Sequence, residues 1–129
     1  IDMEARSMKW IRAGHEPGLL FRPGTMEVEK LMGKGMALGV DSEAVFEVNE
    51  IRGWEPGTVL VIASDGVKES RDPQGEMYGE DRITELVNSC KDKAAADIEA
   101  RLIEDLNNFT DNAAPADDMT VIIVKFIKG

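Results

Sequence analysis

A single cysteine, Cys90, cannot close an internal disulfide, so the chain shows no sign of an oxidising compartment. No apolar run approaches bilayer-spanning length, and the start Ile1-Asp2-Met3-Glu4 has neither the basic nor the apolar segment of a signal peptide. A soluble, cytoplasmic protein is expected. Basic residues are also scarce, 15 against 25 Asp and Glu, giving a formal net charge of -10. Such a field repels nucleic acid and anionic membranes and favours metals or basic protein surfaces, although most of these carboxylates read as ordinary solvated surface. Neither a nucleic acid nor a membrane is an expected partner. Repeats, low-complexity tracts and interdomain linkers are absent as well, so residues 1–129 read as one domain, long enough to bury roughly two thirds of its unfolded surface.

Within that domain the pattern is uneven. Up to residue 63, short β-like runs ("MKWIRAG", "GLLFRPGTMEVEKLM", "AVFEVNEI", "TVLVIAS") alternate with Gly and Pro punctuation, the pattern of an antiparallel meander. Between residues 79 and 109 the period lengthens. Ile83, Leu86, Val87 and Cys90 form one stripe, and Ile98, Leu102, Leu106 and Phe109 a second, which predicts two amphipathic helices. The β-branched run "MTVIIVKFI", residues 119–127, predicts a final buried strand. The fold class is α+β. Cys90 falls on a helix stripe and reads as core, and the methionines read as packing.

Two acidic sites flank the predicted core strands. In "VLVIASDGVKES", Asp65 and Gly66 follow an apolar run, but the polar segment after them is no partner strand, so a tight hairpin is a poor fit. Gly66 permits a backbone conformation that a Cβ would oppose. Asp65 reads either as a turn or cap residue or as a metal ligand at a strand end. In "APADDMTVIIV", Asp117 and Asp118 precede the last strand, where the alternative is a turn that discourages edge aggregation. If the two strands are antiparallel neighbours, their acidic ends meet, and an oxygen-only donor set suits Mg²⁺ or Mn²⁺. Lys68 and Arg71 read either as phosphate contacts or as solvated loop charges. His15, the sole histidine, lies in the turn-like "AGHEPG", where hydrogen bonding to backbone competes with a functional role. A loop with Gly75 and Gly79 flanking Met77 and Tyr78 is expected to reposition at the edge of the site.

Together, "LVIASDGVKESRDPQGEMYGEDRITELV", "DDMTVIIVKF", "IRAGHEPGLLFRPG" and "GMALGV" resemble the metal-dependent serine/threonine protein phosphatases of type 2C, in particular the bacterial SpoIIE/RsbU-like branch. The resemblance covers nearly the whole chain and corresponds to the carboxyl-terminal portion of the domain. It implies an antiparallel β-sandwich flanked by helices with a two-metal centre of Mn²⁺ or Mg²⁺. Asp65 then matches the metal-binding Asp of the DG motif and Asp117 that of the DN or DD motif. Asp118 takes the companion position and Glu69 an auxiliary acidic one. His15 stands where eukaryotic members carry Asp, which leaves a third metal without its ligand.

The implied reaction is hydrolysis of phosphoserine or phosphothreonine by a metal-activated water. The implied substrate is a phosphorylated protein such as an anti-sigma-factor antagonist, in regulation of a sigma factor or a stress response, under an upstream sensor or receiver domain. Neither the Glu-x-Asp strand nor the Asp-Gly-His-Gly-type segment of the family's first half is found. This chain alone is therefore expected to lack a complete centre, and its uncovered sheet face invites a homodimer. The alternative is a non-catalytic interaction or dimerisation module with a degenerate phosphatase fold.

Overall fold

The computed structural model describes residues 1–127. Six strands and three helices follow in the order β1 (Ser7–Trp10), β2 (Gly18–Phe21), β3 (Val28–Leu31), β4 (Asn49–Arg52), β5 (Val59–Ala63), α1 (Asp65–Lys68), α2 (Gly79–Cys90), α3 (Ala95–Phe109) and β6 (Val121–Lys125). Four strands make an antiparallel sheet in the order β3-β2-β5-β6, and β1 pairs with β4 as a separate antiparallel ribbon.

Strand alternation sorts the apolar side chains onto two faces. Leu19, Phe21, Val59, Val61 and Ala63 pack on one face with Ile83, Val87 and Cys90 of α2 and Ile98, Leu102 and Leu106 of α3. Leu20 and Leu60 point the other way, into a second cluster with Met8, Leu31, Trp54 and Phe126. The result is a ribbon, a sheet and a helical layer around two cores, the expected α+β sandwich with its helices gathered on one side. Both helical stripes fall where the 3.6-residue period puts them.

One local pattern holds and two expectations are corrected. Within "GLLFRPGTMEVEKLM" the Gly and Pro punctuation makes a hairpin, Pro23 and Gly24, the latter at φ 74°, turning the chain between β2 and β3. The last strand is the sheet edge rather than a buried strand, with Ile122 half exposed. Among the methionines only Met8 is core; Met3, Met26, Met32, Met36, Met77 and Met119 are exposed.

Strand polarity decides where the chemistry sits. Pairing of Ala63 with Val121 and of Leu19 with Val61 brings the exit of β5, the entry of β6 and the entry of β2 to one end of the sheet. Asp65, Asp117, Asp118 and the turn carrying His15 all gather there.

Candidate metal centre

The exit of β5 is fastened to the approach of β6 by Ser64. Its backbone N–H donates to the Thr120 carbonyl at 2.9 Å, and its Oγ accepts the Thr120 N–H at 2.9 Å and donates to the Asp118 carbonyl at 3.3 Å. Ser64 stands at the N-cap position of α1, yet its hydroxyl makes no cap hydrogen bond and serves the neighbouring segment instead. A serine at this position commonly caps the helix that follows it; here it ties two segments 54–56 residues apart in sequence instead.

Gly66 follows one residue into α1. Its φ lies outside the left-handed region, so conformational freedom is not what the position requires. A Cβ there would overlap the Asp118 carbonyl oxygen and lie 3.1 Å from its carbonyl carbon and 3.5 Å from the Asp117 oxygen. Glycine is needed for close approach, which corrects the expected reason and brings the Asp65-Gly66 and Asp117-Asp118 segments side by side.

The carboxylates themselves face solvent. Asp65 opens α1 and is exposed; its carbonyl accepts the Glu69 N–H at 2.8 Å. Asp117 uses Oδ1 to accept the Asp118 N–H at 2.7 Å, which leaves Oδ2 uncommitted among the described residues. Neither Asp65 nor Asp117 makes an ion pair among the described residues, so both are open to an added cation. Their donors are hard oxygens, fitting Mg²⁺ or Mn²⁺ in kind but not in number. No group of three His, Cys, Asp or Glu side chains placed to hold a metal occurs among the described residues.

His15 is exposed, and its Nδ1 lies 2.9 Å from the Glu16 carbonyl oxygen, the backbone contact expected of a turn histidine. It lines a different hollow, with Met8, Trp10, Leu60 and Ile62 on the second face of the sheet. Glu69 and Asp117 instead share a cleft of about 290 Å³ between α1, the end of α3 and residues 113–119.

An ion-pair network beneath α1 escaped the sequence reading. Lys68 Nζ lies 2.9 Å from Glu16 Oε2 and 3.3 Å from Glu80 Oε2, and Glu80 Oε1 lies 2.6 Å from Lys30. The Lys68 side chain is only 14% exposed, so it is neither a solvated charge nor free for phosphate. Hydrogen bonding and charge from Lys68 hold the Glu16 carboxyl below its ordinary range. At Glu80 burial pushes upward, but the hydrogen bonds from Lys30 and Lys68 outweigh it and the net displacement is also downward. Partners 52 and 12 residues away in sequence give no local signal.

Tyr78 is also corrected, because it is a fixed core residue. It is 3% exposed, donates its hydroxyl to Asp105 at 2.7 Å and meets Phe109 edge to face. The loop before it closes through an Arg71–Met77 bridge and the Tyr78 N–H to Ser70 carbonyl bond at 2.8 Å.

Residues 1–127 match the model of the family described as stage II sporulation protein E. The chain is 27% identical over 124 residues to Protein IcfG of Synechocystis, covering 96% of this chain and 19% of that protein. It is 25% identical over 124 residues to the phosphoserine phosphatase RsbU of Bacillus subtilis, covering 96% and 36%. The PP2C phosphatase domain of Bacillus subtilis SpoIIE, solved with a fragment of its regulatory domain, superposes with a TM-score of 0.78 at 23% identity, covering 98% of this chain and 36% of that one. The phosphatase domain alone, presoaked with Mn, gives 0.73 and is covered to 55%. The chain thus spans about a fifth to a third of the curated relatives and about half of that domain, and it belongs to the stage II sporulation protein E (SpoIIE) family.

Proposed function

We propose that this chain is part of a metal-dependent serine/threonine phosphoprotein phosphatase, in which Asp65 and Asp117 contribute to a divalent-cation site for Mn²⁺ or Mg²⁺. The observation that carries the proposal is the approach of Gly66 to Asp118, which sets two otherwise unpaired carboxylate segments against each other at one sheet end. Carboxylates that meet repel unless a cation or a proton intervenes. The family, with its PP2C-type relatives, supports the choice of a cation.

When bound, divalent cations supply the Lewis-acid charge that polarises a phosphoryl group and acidifies water. The residues of this chain hold the frame for that chemistry. Ser64 and Gly66 fix the separation of the two segments. Asp118 orients the Asp117 carboxylate through its N–H, and Glu69 lies on the cleft wall as an auxiliary acid. His15 shapes the neighbouring turn and is proposed as auxiliary only. The remaining ligands come from outside residues 1–127, since the relatives' domains extend beyond the matched span.

The proposed substrate is a phosphorylated protein of the anti-sigma-factor-antagonist kind, and the proposed control comes from an upstream sensor or receiver domain. One relative joins RsbU and RsbW domains in a single structure, which supports a regulatory setting of this type. No helix among the described residues is long and apolar enough to cross a membrane, and a cytoplasmic site of action is proposed.

The lack of a three-ligand cluster favours a second reading, a non-catalytic interaction or dimerisation module. Phosphate release from a phosphoserine protein by the full-length protein, with and without Mn²⁺, separates the two. Release that requires Mn²⁺ and disappears in Asp65→Asn supports the phosphatase. Release unaffected by Asp65→Asn refutes the assigned site, and no release at all favours the module.

A further inference from the structure

We infer that the cleft beside Asp117 seats the polypeptide segment carrying the phosphorylated residue, with Arg71 binding an anionic oxygen group of that segment; this rests on the phosphatase reading above. The cleft begins where a phosphate would sit, since Gly66 and Asp117 line it. Its wall continues from Asp117 through Ala116, Pro115 and Ala114 to Ala113, whose N–H donates to the Thr110 carbonyl at the end of α3, with Leu106 beyond. An extended chain advances about 3.3 Å per residue, so residues flanking a phosphoserine held at Asp117 fall along this path. Small side chains on one wall leave room for them.

The cations nearby are separable by what each already binds. Lys68 is engaged by Glu16 and Glu80, and the Arg82 guanidinium stacks 4.4 Å from the Phe109 ring centre. Arg71 lines the cleft, donates Nη1 to the Gly75 carbonyl at 2.6 Å and makes no ion pair among the described residues. Anchored at one nitrogen, the guanidinium is held at the cleft with other donors unspent. In a chain of net charge -10 that cation is matched to an anionic partner. Phosphate and a flanking carboxylate offer the same oxygen chemistry, and the test distinguishes them.

The experiment is fluorescence anisotropy on the full-length protein with two labelled peptides. Each carries a non-hydrolysable phosphonate in place of phosphoserine, and one has Asp two residues away where the other has Asn. Arg71→Ala is expected to weaken the Asp peptide about tenfold, the loss of one charge-assisted hydrogen bond, with Arg71→Lys restoring part. An equal loss with both peptides places Arg71 on the phosphonate, and a loss confined to the Asp peptide places it on the flanking carboxylate. Ala114→Leu, an exposed change that fills the cleft, is expected to weaken both. Unchanged affinities in Arg71→Ala and Ala114→Leu overturn the inference. Because binding is read without turnover, absence of phosphate release contradicts the phosphatase reading alone.

Discussion

Gly66 packs so closely on Asp118 that a methyl group in place of its hydrogen would overlap the Asp118 carbonyl oxygen. That contact joins the exit of β5 to the entry of β6 at the point where both turn acidic. Gly66→Ala is expected to push the segments apart at a cost of about 1–3 kcal/mol, the usual range for overpacking. A urea titration reads this as a lower midpoint at unchanged slope, and a Mn²⁺ titration as weaker binding. Gly24→Ala is the control. Gly24 has a φ of 74° with open space around it, so strain lowers stability without altering metal affinity.

Lys68 gives a prediction with a defined pH window. Glu16 and Glu80 titrate below their ordinary range in the folded protein, so each contributes stability that is present above that range. It is lost as pH falls below about 4.5, through the depressed folded values. Lys68→Met removes the main cause at Glu16 and one of two at Glu80, so acid unfolding should begin from a lower plateau and fall less steeply. Glu16 is 39% exposed and its share is screened by solvent; the expected loss at neutral pH is about 1–2 kcal/mol. Chemical denaturation between pH 3 and 7 checks both the plateau and the slope.

Tyr78 ties the segment after α1 to α3. Burial first, and then the hydrogen bond to Asp105, displace the phenol upward from its ordinary value of 10. Phenolate absorbance should therefore appear only as the protein unfolds in alkali. Tyr78→Phe keeps the contact with Phe109 but strands the Asp105 carboxylate, costing about 1–2 kcal/mol in thermal unfolding.

Much of the fold was legible because it is written in local periods. The stripes ending at Cys90 and Phe109 announce α2 and α3, and burial of Cys90 displaces its thiol upward, as an inert core residue requires. What failed was what depends on neighbours. The run 121–125 is apolar on both faces and reads as central, yet nothing in it says that no strand pairs beyond it within the described sheet. The positions of Asp65 and Asp117 were legible as strand ends, and antiparallel pairing of β5 with β6 puts those two strand ends at one end of the sheet. The Lys68 network and the cleft at the end of α3 join residues far apart in sequence, so no local pattern announces them.

The most direct test of the central claim is calorimetric titration of Mn²⁺ into the full-length protein, its Asp65→Asn and Asp117→Asn variants, and the double variant. If the two carboxylates share one cation site, each single change weakens binding at least about tenfold and the double change adds little to either, the non-additivity of residues acting together. Wild-type affinity in both single variants would contradict the account.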